Sequence, residues 1–91
     1  MVFGIGILGA FAVQLCRIAG AFPVIAADLN AKRRKLAIEL GADYAFNPGD
    51  DGFIQSVMDV TRGVGVKAII EVTGQSVALN QALACVAPLG R

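Results

Sequence analysis

Glycine stands at positions 4, 6 and 9 of the chain, where the apolar pair Val2-Phe3 gives way to a helical pattern. That spacing limits the fold more than any other feature. A first glycine permits a tight turn out of a strand. A second leaves room for a ligand to lie against the backbone, and a third lets the helix pack close to the strand before it. Gly4-Ile5-Gly6-Ile7-Leu8-Gly9 is therefore the G-x-G-x-x-G pattern of a strand–turn–helix unit that receives a pyrophosphate at the positive end of its helix. The amides of Ile7 and Leu8 become the donors aimed at phosphate oxygens. Glycines before a helix also arise from close packing alone, so the pattern needs context.

The rest of the chain alternates between two periods. Gly9 to Gly20 reads as a helix with Gln14 and Arg17 on one face, and Pro23-Val24-Ile25-Ala26-Ala27-Asp28 as a second strand closed by an acid. Asn30 is the candidate N-cap of a helix running to Leu40, and Gly41 suits the left-handed position that ends it. Asp43-Tyr44-Ala45-Phe46 makes a third strand, stopped by Asn47-Pro48-Gly49. Asp50 or Asp51 can cap a helix carrying Phe53, Ile54, Val57 and Met58, and Val66 to Glu71 reads as a fourth strand. Leu79, Ala82, Leu83 and Val86 mark a last helix, after which Pro88-Leu89-Gly90-Arg91 approaches a fifth strand. Strands alternating with helical crossovers predict an α/β fold. It is part of a doubly wound parallel sheet of the Rossmann type, ordered 3-2-1-4, with helices on both faces. Residues 1–91 form one truncated dinucleotide-binding domain in this reading.

Composition settles what the apolar excess means. Hydrophobic residues make up 56% and charged residues 16%, against typical values of about 45–50% and about 25%. From Met1 to Ala27 the only charged side chain is Arg17, yet a membrane helix needs about 20 unbroken apolar residues. Arg17, four glycines and Pro23 interrupt this run, and no basic segment precedes Val2 as a secretory signal requires. The expectation is no membrane segment but a strand, helix and strand all buried in a sheet covered on both faces. A net charge of +1 gives no footprint for nucleic acid or an acidic membrane. Histidine is absent, so no His base or His metal ligand resides in these residues. Cys16 and Cys85 have no metal-ligand spacing and read as small apolar residues in a reducing compartment, the cytoplasm.

Asp28 gives the glycines their chemical context. It ends the second strand nineteen positions after Gly9, where a carboxylate accepts from the hydroxyls of an adenosine ribose. The alternative is a strand-end acid that only meets water. A carboxylate there repels a 2′-phosphate and favours NAD over NADP, whereas Lys32, Arg33 and Arg34 pull the other way. Lys32 and Arg34 are read as a solvated helix face, and the acid prevails. Glu71 either meets the cofactor edge or water, while Thr73 and Gln75 either contact ligand or begin a polar turn. No Ser or Cys has a His to activate it.

With these residues in view, Gly4 to Arg91 resembles the coenzyme-binding domain of medium-chain, zinc-dependent alcohol dehydrogenases, the group that includes sorbitol and threonine dehydrogenases. The resemblance is carried by Gly4 to Gly9, by Val24 to Asn30, by Glu39 to Asp43 with Asn47-Pro48, and by Gly65 to Gly74. It implies that Gly4, Gly6 and Gly9, with the Ile7 and Leu8 amides, hold the pyrophosphate. It also implies that Asp28 binds the adenosine ribose with Arg33 beside it, and that Val72 and Thr73 line the adenine side. NAD is the implied cofactor, and hydride transfer from an alcohol to NAD, giving an aldehyde or ketone, the implied reaction of a whole enzyme. The family's zinc ligands and proton relay lie in another domain. The strands that flank the nicotinamide are also absent here, so this segment is expected to grip the ADP half and to hold neither zinc nor a catalytic residue. Regulatory NAD-sensing modules share the glycines and the ribose acid, but the Glu39–Asp43 and Gly65–Gly74 matches argue against them. Methyltransferases place a third glycine where Leu8 stands. An unpaired fourth strand at the sheet edge predicts a homo-oligomer.

Overall fold

Side chains of a β-strand point alternately to its two faces, and that alternation sorts the apolar residues into two cores. In this computed structural model, which describes residues 1–73, 80, 81 and 83–86, four parallel strands run in the order β3-β2-β1-β4. They are β1 (Val2–Phe3), β2 (Ile25–Ala27), β3 (Tyr44–Phe46) and β4 (Ile70–Glu71). Val2 and Ala26 pack with Val13 and Ala37 beneath helices α1 (Ile7–Ile18) and α2 (Ala31–Glu39). Phe3, Ile25 and Ala27 face the other way, against Phe53 and Val57 of α3 (Phe53–Val60) and against Val66 and Cys85. The rings of Phe3 and Phe53 meet edge to face with centroids 5.8 Å apart.

Chain order explains the layers. The path β1-α1-β2-α2-β3 steps across the sheet in one direction, and α3 carries it back past β1 to β4. Right-handed crossovers put α1 and α2 on one face and α3 on the other. The reversal of direction beside β1 opens a crevice at the carboxyl ends of the strands, the position where doubly wound sheets hold ligands.

Local chemistry sets the element boundaries. Helix α1 starts two residues before the expected Gly9, because the Gly6 carbonyl already accepts the Ala10 amide at 2.9 Å. Asn30 caps α2 as expected, its side chain accepting from the Arg33 amide at 3.1 Å, and Gly41 takes a φ of +120° just beyond the helix. Neither acid expected to cap α3 does so. Gly52 occupies the N-cap without a side-chain bond, and the backbone carbonyl of Asp50 accepts the Phe53 amide. The fourth strand is shorter than Val66 to Glu71, since Val66 instead bridges Val86 in parallel. Residues 80, 81, 83 and 84 are helical. Leu79, Ala82, Gln75 and the approach to a fifth strand lie outside the described residues.

One expectation about burial is corrected. Both strands flanking α1 are buried, but the helix buries only Gly9 and Val13, and Ile7, Leu8, Phe11, Leu15 and Ile18 are exposed. A helix lying on one sheet layer can cover only one face, and here the outer face is apolar too. Among the described residues no helix is long and apolar enough to cross a membrane. Arg17, which interrupts the apolar run, reaches both carboxylate oxygens of Asp43 at 3.1 and 3.2 Å, and Asp43 also accepts the Val24 amide at 2.8 Å. This contact ties the last turn of α1 to the amino edge of the sheet.

Cys85 is fully buried, and burial pushes its thiol above the ordinary value. Little thiolate is then available to react. Iodoacetamide at mildly alkaline pH should leave Cys85 unmodified in the folded chain and alkylate it once urea unfolds the protein. Mass spectrometry of the Cys85 peptide reads the difference, and equal labelling in both states would contradict the packing described.

Candidate functional site

The carboxyl ends of β1, β2 and β4 and the start of α1 enclose a cleft of about 850 Å³. All nine residues singled out from the sequence border it: Gly4, Gly6, Ile7, Leu8, Gly9, Asp28, Arg33, Val72 and Thr73. Leu29, Asn30, Pro48, Gly49 and Gln81 line it as well and were missed. The turn Asn47-Pro48-Gly49 carried a usable signal, since it follows β3 at the carboxyl edge where ligands collect. Gln81 offered none. It arrives from a distant helix to donate its side-chain amide to the Pro48 carbonyl.

The three glycines answer to three different demands. Gly4 has a φ of +98°, and a Cβ there would lie 2.7 Å from the Thr73 methyl group. At Gly9 a Cβ would fall 1.8 Å from the Gly4 carbonyl oxygen, so α1 can approach the turn only without a side chain. Gly6 differs from both. Its φ of −82° and ψ of −158° suit any residue, and a Cβ would meet nothing within 4 Å. Neither conformation nor packing among the described residues requires glycine at that position. Gly6 is also the N-cap of α1, it makes no side-chain bond, and the first turn carries no acid. The positive end of the helix therefore opens into the cleft, with no capping anion among the described residues.

Asp28 is buried at the end of β2. Its Oδ2 accepts the Ile5 amide at 2.7 Å and its Oδ1 the Asn30 amide at 2.8 Å, so the carboxylate joins the β1–α1 turn to the β2–α2 loop. Each carboxylate oxygen has two acceptor positions, and one bond apiece leaves capacity for further donors. Arg33 Nη1 stands 4.0 Å from Oδ2, on a side chain that is 56% exposed. Arg34 is not the solvated residue expected: its Nη1 donates to the carbonyls of Asp28 at 2.9 Å and Leu29 at 3.0 Å. Glu71 is engaged by neither water alone nor the cleft alone, because its Oε1 accepts both the amide and the hydroxyl of Thr73. Among the described residues no three His, Cys, Asp or Glu side chains come together as metal ligands would.

The profile of the zinc-binding dehydrogenases matches residues 7–91. The chain belongs to that family. It is 41% identical over its whole length to an L-threonine 3-dehydrogenase of Thermococcus kodakarensis, and spans 26% of that protein. Over 93% of the chain it is 41% identical to an alcohol dehydrogenase class-P of Arabidopsis thaliana, covering 23% of that enzyme. The crystal structure of an alcohol dehydrogenase from Aeropyrum pernix superposes with a TM-score of 0.90 at 34% identity, over 99% of this chain and 26% of that one. The chain thus spans about a quarter of the length of the relatives it matches, and the quarter is their cofactor-binding domain.

The glycine geometry of this dehydrogenase domain separates packing from ligand demands. Gly9→Ala should cost roughly 3 kcal/mol, because a backbone carbonyl must give way to the new methyl group. Gly6→Ala should change stability by less than about 1 kcal/mol. Urea denaturation of both variants checks the contrast, and equal losses would refute it.

Proposed function

We propose that residues 1–91 form an NAD(H)-binding domain, part of a dehydrogenase that passes hydride between an alcohol and NAD to give an aldehyde or ketone. One observation carries the reading. Nothing among the described residues requires glycine at position 6, and the space its Cβ would fill lies at the positive end of α1, which no described side chain caps. A pyrophosphate accounts for that space, with the amides of Ile7 and Leu8 as donors. NAD, when bound, supplies the hydride acceptor. Everything asked of this segment concerns its grip on the ADP half.

Each residue has a role that follows from its position. Gly4 and Gly9 let the turn and helix close around the pyrophosphate. Asp28, held by two amides, presents its remaining acceptor sites to the adenosine ribose hydroxyls. Arg33 beside it tempers the charge, and Val72 and Thr73 wall the adenine side, with Thr73 fixed by Glu71. Names of relatives such as threonine, geraniol and alcohol dehydrogenase support a hydroxyl-bearing substrate. The zinc of the family finds no ligand cluster among the described residues, and no step here runs through it. Two free thiols suit a reducing cytoplasm.

Calorimetric titration with NAD, NADP and ADP-ribose tests the proposal. NAD and ADP-ribose should bind saturably, with NAD favoured over NADP by at least tenfold, about 1.4 kcal/mol. Gly6→Ala should abolish binding while leaving the fold intact. Asp28→Asn, which removes the charge and one of the two acceptor oxygens, should erase the preference for NAD. No binding by any of the three ligands would refute the reading.

We further infer that β4 pairs copies of the chain. It stands at the end of the described strand order beside β1, and its Ile70 is exposed. Exposed edges recruit strands. Light scattering should give more than one chain per particle, and a monomer at high concentration would count against this.

A further inference from the structure

Arg34 sits in the first turn of α2, yet its guanidinium turns back along the chain and is half-buried. One nitrogen, Nη1, donates to the carbonyls of both Asp28 and Leu29. The second of these bonds has an effect beyond its own energy. The Leu29 carbonyl and the Asn30 amide belong to one planar trans peptide group, so they point in opposite directions. Holding that carbonyl on Arg34 turns the Asn30 N–H the other way, where it donates to Asp28 Oδ1 at 2.8 Å. The Asp28 carbonyl, held by the same nitrogen, fixes the preceding peptide plane as well. The carboxylate is thus oriented by two amides, that of Ile5 from the glycine turn and that of Asn30, whose direction Arg34 sets.

We propose that Arg34 is a positioning residue for Asp28: by clamping the Asp28 and Leu29 carbonyls it aims the carboxylate at the ribose hydroxyls and so shapes ribose recognition. Arg34 is not among the residues that line the cleft and acts through the 29–30 peptide. The ribose role rests on the dinucleotide reading above, whereas the orientation of the carboxylate stands on the geometry alone. A charged donor shared by two carbonyls makes stronger bonds than a neutral one. Glutamine cannot replace it, while lysine, with three donors on one nitrogen, can restore part of the clamp.

Two measurements on the 91-residue chain test the proposal. The first needs no ligand. In Arg34→Gln the Asn30 amide should exchange with solvent faster and lose its carboxylate-bonded NMR shift, Ile5 should change little, and Arg34→Lys should recover part of the signal. An unchanged Asn30 amide would overturn the proposal. The second compares ADP-ribose with its 2′-deoxy analogue. Arg34→Gln should weaken ADP-ribose about tenfold and leave the analogue nearly unchanged, because only the bond to the hydroxyl is lost. Equal losses for both ligands would mean that Arg34 supports the fold generally, which would overturn its ribose role. If the unaltered chain binds no ADP-ribose, the dinucleotide reading and the ribose role fall together, and the Asn30 amide still decides whether Arg34 orients Asp28. Should Arg34→Gln fail to fold, Arg34→Lys provides both readouts with the same expected direction and smaller size.

Discussion

Two backbone amides from different turns, those of Ile5 and Asn30, converge on the Asp28 carboxylate at 2.7 and 2.8 Å. A buried carboxylate without partners is costly by several kcal/mol, and hydrogen bonds to a charged group return about 1.5–3 kcal/mol each. The main chain therefore stabilises this charge. Arg33, exposed and 4.0 Å away, contributes little. The choice of partner matters for function. A bidentate arginine would occupy the carboxylate face and close it to ligands. Two amides, each with one hydrogen, hold the group in place and leave its outer lone pairs free. Strand end, glycine turn and helix cap are thus tied through one side chain.

The other end of the sheet shows the contrasting solution. Asp43 also accepts a strand amide, that of Val24, but there Arg17 covers both carboxylate oxygens. That acid is spent on holding α1 to the sheet, at the pole away from the cleft. Two aspartates with similar backbone duties differ in what remains available. The glycines divide in the same manner: Gly4 and Gly9 satisfy the protein's own packing, whereas no described residue comes near the place of a Cβ at Gly6.

Much of this was legible before any coordinates. The strand order, the two-sided layering and the Asn30 cap follow from periodicity and chain topology, which are local or combinatorial rules. The glycine turn and Asp28 follow from their motif spacing, and the places of Arg33 and Val72 only from the family resemblance. What escaped depends on distances between side chains. Arg34 looks like any solvated lysine neighbour in sequence, and only the path of the β2–α2 loop brings carbonyls within its reach. Asp50 and Asp51 looked like caps, yet the chain turns so that Gly52 sits at the helix start. The apolar outer face of α1 was invisible because a hydrophobic count does not say which face the sheet covers. Gln81 reached the cleft from a segment with no pattern linking it to Pro48.

The two cores span very different stretches of chain. Among the described residues, the one beneath α1 and α2 is built from positions between Val2 and Ala45, whereas the one beneath α3 needs Val66 and Cys85. Contacts close in sequence are quick to form, and domains assemble from the amino end as synthesis proceeds. The glycine turn, Asp28 and Arg34 all lie within or beside the earlier core. A ribosome that has released only the first half of this domain has already released the floor of the cleft with its complete supporting layer, while Val72, Thr73 and Gln81, its opposite wall, are still to come.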